Sequence, residues 1–279
     1  MKLCRVGPPG REKPAMVDGQ GTLRDLSGVV ADIDGAALAR IDELKAIDPA
    51  GLPPVEGKPR YGAPVAGVSK FICIGLNYSE HAAEAGLPEP AEPIIFLKAP
   101  SAICGPDDDT MVPLNSTRLD WEVELGVVIG AVGRNVSEDK ALDIVAGYCV
   151  VNDVSERAFQ MQSTQWDKGK GCDTFGPTGP WLVTRDDVPD PQGLAMKLTV
   201  NGQVMQDGHT KTMIFGVRQI VSYVSRYMTL MPGDVIATGT PSGVGMGKKP
   251  EPVWLKPGDV VELEIAGLGR QRQKVVPYA

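Results

Sequence analysis

Two glutamates separated by a single residue are the first chemically suggestive feature of this chain. In Asp120-Trp-Glu122-Val-Glu124-Leu-Gly126 they alternate with Val123, Leu125 and Val127. A strand sends alternate residues to opposite faces, so both carboxylates leave one face and the apolar side chains the other. Carboxylates that close repel one another unless one is protonated or a cation bridges them. A bound divalent metal is one resolution, and a solvated strand face is the other reading. Asp153 adds a third carboxylate at the end of the apolar run 147–152, where an ordered scaffold hands a side chain to a site. Three oxygen ligands without a neighbouring His or Cys suit a hard cation, Mg²⁺ first and Mn²⁺ or Ca²⁺ next.

Other residues have the right types but weaker spacing. His81 and Glu84 stand at i and i+3, so a short helix gives them one face and a hydrogen bond; taken alone they read as a surface pair. Arg157 and Gln160 follow Asp153 closely enough to reach whatever it holds. Lys170 lies in a glycine-flanked loop with Lys168 as its rival, and each taken alone is a solvated lysine. Thr240 follows a strand and precedes Pro241, so its hydroxyl and amide suit either a carboxylate or a plain turn. Lys98 ends the run 94–97 and is placed near the metal, while His209 has no partner pattern and is assigned to the surface.

Several chemistries are excluded. The stretch Gly239-Thr-Pro-Ser-Gly243-Val-Gly245-Met-Gly247-Lys248-Lys249 has the look of a phosphate loop, but Ser242 and Lys249 occupy positions where a Walker loop needs Gly and Ser or Thr. Lys248 stands where a dinucleotide fingerprint needs its third glycine. No Gly-x-Ser-x-Gly elbow occurs, and only two histidines are present. Lys and Arg total 28 against 35 Asp and Glu, a net charge of −7, which gives a nucleic-acid groove no support and favours small ligands. Apolar runs are too short to span a bilayer and no secretory leader is evident, so the expected location is the cytoplasm. Five cysteines without a Cys-x-x-Cys pair read as reduced, mostly buried thiols.

The elements that must position these groups are mainly strands. Residues 71–74, 94–97, 121–129, 146–152, 181–184, 196–200, 235–238 and 260–265 are apolar or alternating and bounded by Gly, Pro, Asn or Asp. Helical patterns are fewer, over 36–46, 79–85, 137–143 and 212–227. Strands without regularly interposed helices fit a doubly wound sheet or a TIM barrel poorly and predict a β-rich α+β fold. Pro-Gly-Asp-Val at 232–235 and again at 257–260 reads as one turn used twice. A proline-rich connector over 48–59 suggests a small N-terminal α+β domain, 1–65, before a catalytic domain, 66–279.

Taken in order, Asn77-Tyr78-x-x-His81-x-x-Glu84, Asp120-x-Glu122-x-Glu124, Asn152-Asp153-Val-Ser-x-Arg157-x-x-Gln160, Lys168-Gly-Lys170-Gly-Cys-Asp-Thr-Phe-Gly-Pro177 and Thr238-Gly-Thr240-Pro241 resemble the fumarylacetoacetate hydrolase family. The resemblance covers about residues 70–265. It implies a mixed β-sandwich roll, a homodimer, and Mg²⁺ or Mn²⁺ on Glu122, Glu124 and Asp153. It further implies that Glu84 orients His81 as general base for water on a mobile lid, that Lys170 stabilises an enolate, and that Arg157, Gln160, Thr240, Tyr78 and Lys98 meet a keto-acid substrate. The implied reaction is cleavage of a 2,4-diketo acid to pyruvate and a carboxylic acid. The loop 168–177 is similar to a sugar-acid branch acting on 2,4-diketo-3-deoxy-L-rhamnonate or L-fuconate to give lactate. Acylpyruvase, oxaloacetate decarboxylase and ureidoglycolate lyase activities remain alternatives within the family, as does a non-catalytic keto-acid binder.

Overall fold

In the computed structural model, which describes residues 1–278, two β-sheets close over a common core. The fold is α+β and β-rich. The larger sheet runs in the order Leu23–Asp25, Lys13–Val17, Lys2–Val6, Gly176–Thr184, Val145–Asn152, Val123–Ile129, Val235–Ala237, Phe71–Gly75 and Ile94–Lys98, with Ile103–Cys104 alongside Gly176–Thr184. The smaller sheet runs Gln203–His209, Ala195–Val200, Val260–Ile265, Gly269–Val276 and Thr110–Met111.

Alternation along the central strand Val123–Ile129 explains the layering. Val123, Leu125, Val127 and Ile129 enter the core between the sheets, where they join Leu198, Val261 and Leu263 of the smaller sheet and Ile220, Val221 and Val224 of the helix Val217–Tyr227. Val128 enters a second core on the opposite face, with Leu3, Ile33, Leu38, Leu44, Phe71 and Val151. On this side Glu124 shares Val128's face, so the carboxylates project where the sheet is covered only in part. The strand starts one residue later than Glu122, which follows the short pairing of Leu119–Asp120 with Ser155–Glu156.

The boundary at residue 65 does not separate two sheets. Lys2–Val6 is an interior strand of the larger sheet, pairing antiparallel with Gly176–Thr184 in the register Lys2↔Val183 and Leu3↔Leu182. The expected helix over 36–46 is two short ones, Gly35–Leu38 and Ile41–Lys45, and the pattern over 137–143 forms a 3₁₀ segment, Glu138–Ile144. The repeated Pro-Gly-Asp-Val is one turn used twice: Gly233 and Gly258 take positive φ, and Asp234 and Asp259 each accept the N–H three residues back, from Met231 and Lys256. Among the described residues no helix is long and apolar enough to cross a membrane.

Candidate active site

The strand ends bring the three acidic side chains together. Glu122, Glu124 and Asp153 are all buried, and each offers an oxygen within 4.8 Å of the others. The cross-strand pair Val151↔Glu124 and Asn152↔Val123 sets the register that delivers Asp153 beside them. Asn152 ties the junction: its Oδ1 accepts the Glu122 N–H at 3.2 Å and its Nδ2 donates to Gln273 of the smaller sheet at 3.0 Å.

Cations surround the cluster unevenly. Lys170 Nζ donates to Glu122 and Asp153, 2.7 Å each. Arg157 donates to Glu122 at 2.5 Å, to Asp120 at 2.9 Å and to Gln160 at 3.0 Å. Lys98 pairs with Asp153 from behind. Four buried carboxylates (Asp120, Glu122, Glu124 and Asp153) thus face three buried cations (Lys98, Arg157 and Lys170). Burial alone would raise Glu122, but Arg157 and Lys170 outweigh it and hold that carboxyl well below the usual range. Burial pushes Glu124 up, and the charges on Asp153 and Glu122 push it further; among the described residues its one hydrogen-bond donor is Gly239 N–H at 2.8 Å. A donor set of three buried carboxylates with surplus negative charge fits a divalent cation.

The helix Ser79–Glu84 places His81 and Glu84 on the wall of the same cavity, which encloses about 480 Å³. His81 Nδ1 lies 3.3 Å from Glu84, leaving Nε2 for a cavity water. The loop after Val235–Ala237 fixes the pair: Gly243 N–H donates to both Glu84 oxygens, at 3.0 and 3.1 Å. Burial would raise Glu84, but the bonds from His81 and Gly243 outweigh it and hold it below the usual range. Two residues on, the same loop turns its Gly245 and Met246 amides to Asp120, at 2.6 and 3.0 Å. The glycines excluded as a phosphate loop therefore do bind anions, namely two carboxylates of the chain itself.

Of the other sequence-derived residues, Arg157, Gln160, Lys170 and Thr240 line the cavity. The Thr240 hydroxyl is already committed, donating to Val123 O and accepting from Gln206, so its amide is the group left for a ligand. Lys168 is exposed and turns to Gln162 at 2.6 Å, so of the two lysines in this loop Lys170 is the one that lines the cavity. Two expectations are corrected. Tyr78 is fully buried with its hydroxyl 3.2 Å from Met196 Sδ, because Asn77 pins the segment by bonds to Thr238 O and Phe215, turning Tyr78 into the core. Lys98 pairs with Asp153 from outside the cavity lining, so it bears on the cavity only through that carboxylate. Sequence reasoning missed Asp120 as the anchor of Arg157 and of the glycine loop, although it stood within the acidic motif. Phe96 and Trp166 were also missed; both line the cavity, with no spacing to mark them.

A family model for the fumarylacetoacetate (FAA) hydrolase C-terminal domain matches residues 70–276. The chain belongs to the FAA hydrolase family. A relative from Burkholderia multivorans, 60% identical over 98% of both chains, bears a name that says no more than a provisional hydrolase. The fumarylacetoacetate hydrolase structure from Exiguobacterium antarcticum superposes with a TM-score of 0.89 at 37% identity over 99% of each chain. The structure of 2-hydroxyhepta-2,4-diene-1,7-dioate isomerase from Mycobacterium marinum gives 0.76 at 37% identity, covering 99% of this chain and 98% of that one. Its place among these FAA hydrolase relatives makes the chain a hydrolase or a closely related enzyme.

Proposed function

We propose that the protein is a divalent-metal-dependent hydrolase that cleaves the C3–C4 bond of a 2,4-diketo acid, releasing pyruvate and a carboxylic acid. The observation that carries this reading is the His81–Glu84 pair, braced by Gly243 and facing the same cavity as the buried acidic cluster. Binding a keto acid requires no base, so the pair favours turnover over simple capture. Glu122, Glu124 and Asp153 would hold the cation, with Mg²⁺ the first expectation. When bound it would supply Lewis-acid polarisation of the substrate's keto and carboxylate oxygens.

The chain's own groups account for the remaining steps. His81 takes a proton from water as the oxygen adds to the C4 carbonyl, and Glu84 keeps the ring oriented and stabilises the imidazolium. The C3–C4 pair then moves into the C2–C3 bond, giving an enolate whose charge the Lys170 ammonium meets. Protonation at C3 yields pyruvate, and the added water remains in the released acid. Arg157, Gln160 and the Thr240 amide orient the carboxylate end. Within this class the sequence resemblance taken alone points to 2,4-diketo-3-deoxy-L-rhamnonate or its L-fuconate counterpart, which would give lactate, whereas the carbon-lined wall of the cavity favours a less polar acyl group. A homodimer, checked by sedimentation, belongs to the same reading.

The likeness to an isomerase supports a second reading, in which a proton is taken from the intact substrate and the resulting dienolate is reprotonated at another carbon with no C–C bond cleaved. Pyruvate assayed from acetylpyruvate with Mg²⁺, and again after EDTA, separates the two. Metal-dependent pyruvate release is expected. Loss of the diene absorbance of 2-hydroxyhepta-2,4-diene-1,7-dioate without pyruvate release from any diketo acid would favour the isomerase.

A further inference from the structure

Above its polar floor the cavity is walled in carbon. Leu87, Phe96, Met161, Trp166 and Met246 line it. Three of them stand at the mouth in contact with water, Met161 68%, Leu87 50% and Met246 36% exposed. One exposed apolar side chain means little, but three converging on a cavity with a polar floor mark a surface that a ligand covers. The wall is also constructed. The Trp166 ring lies so near Gly75 that a Cβ there would come within 2.4 Å of it, and it meets Phe96 edge-on at 5.2 Å between centroids. The Phe96 ring in turn lies 5.3 Å from the Lys170 ammonium, joining wall to floor. Among the described lining residues Lys249 is the one charge that reaches the exposed rim.

Resting on the reading of the floor as a 2-oxo-acid site, we propose that the acyl half of the substrate, beyond C4, is an apolar alkyl or aryl group seated among Leu87, Phe96, Met161, Trp166 and Met246. A hydroxylated acyl group would give up water at its hydroxyl and meet carbon. An alkyl chain buries itself and also covers the three rim side chains.

Two measurements test this separately from the reaction. In the first, 2-oxo acids from 2-oxobutanoate to 2-oxodecanoate, which lack the C4 carbonyl, are titrated calorimetrically into the Mg²⁺-loaded protein. Affinity should rise by up to about fourfold per methylene buried. The slope should flatten in Leu87→Ser/Met161→Ser, whose sites are exposed enough to spare the fold, and in Trp166→Ala. In the second, kcat/KM for pyruvate release should increase from acetylpyruvate to hexanoylpyruvate and exceed that for lactoylpyruvate. Affinity independent of chain length overturns the proposal, whatever the turnover. A preference for lactoylpyruvate, or for fumarylpyruvate with its distal carboxylate near Lys249, overturns it as well. So does a double variant that changes sedimentation mass yet keeps the slope, since the wall would then be a subunit contact. Affinity that climbs with chain length while no diketo acid is cleaved leaves the apolar site standing and removes the hydrolase reading.

Discussion

Glu124 is the acidic side chain in the cluster that lacks a cation of its own. Glu122 meets Arg157 and Lys170, and Asp153 meets Lys98 and Lys170, whereas Glu124 accepts one backbone N–H. In EDTA, Glu124→Gln should therefore unfold no earlier than wild type, since it removes repulsion. Glu122→Gln and Asp153→Asn leave buried cations short of a partner and should lose about 3–5 kcal/mol. Thermal unfolding reads the order, and calorimetry should show Mg²⁺ affinity lost in all three. Early unfolding of Glu124→Gln would mean that Glu124 has a partner this structure does not place. For the reaction, Lys170→Met should lower kcat and kcat/KM together while Lys168→Met, solvent-facing, changes little. His81→Ala should lower kcat by about 10²–10⁴-fold with Mg²⁺ affinity intact; a change in KM alone would make it a substrate contact. The acidic pair was legible because strand alternation alone puts two glutamates on one face. Tyr78 and Lys98 were not, because which way they turn is set by the bonds of Asn77 to Thr238 and Phe215 and by the pairing of Lys98 with Asp153, partners distant in sequence that local spacing does not encode.

At the scale of elements, the glycine loop after Val235–Ala237 links His81 to Arg157, through Glu84 on one side and Asp120 on the other. Gly243 holds φ +105° and a Cβ there would lie 2.1 Å from Met205 O, so Gly243→Ala must shift the backbone and draw its amide off Glu84. Turnover should fall nearly as far as in Glu84→Gln, with Mg²⁺ affinity kept; unchanged turnover would show that the amide does not position the dyad. Gly169 is a second close approach, its Cβ direction 2.5 Å from Gln160 N, where the helices Arg157–Gln160 and Asp167–Lys170 abut. Overpacking of this kind costs about 1–3 kcal/mol, so Gly169→Ala should lower Tm and displace Lys170. The strands with apolar or alternating runs were readable before the structure. Gly269–Val276 was not, since two of its three fully buried residues are Gln271 and Gln273, which bond to Val150 O, Gly179 O and Asn152. A face that is buried yet polar hides from a hydropathy pattern. Gln203–His209 escaped for a related reason, being largely polar with few buried positions.

For the whole molecule, the proline-rich connector suggested two units, but the hydrogen-bond ladder crosses it. Removing residues 1–65 would strip Gly176–Thr184 of its neighbour Lys2–Val6 and uncover Phe71, Val151 and Leu182, which share a core with Leu3 and Leu38. A 66–279 fragment should be insoluble or lack a cooperative transition; a soluble fragment that unfolds cooperatively and binds Mg²⁺ would restore the two-unit description. The same pairing bears on the order in which the chain is made. Leu3 leaves the ribosome well before its strand partner Leu182 is synthesised. Until then the hairpin of Lys2–Val6 and Lys13–Val17 has one unpaired edge. Nascent chains of this protein therefore emerge with one strand waiting for a partner made much later, a stage at which chaperones, crowding and translation speed act on its yield.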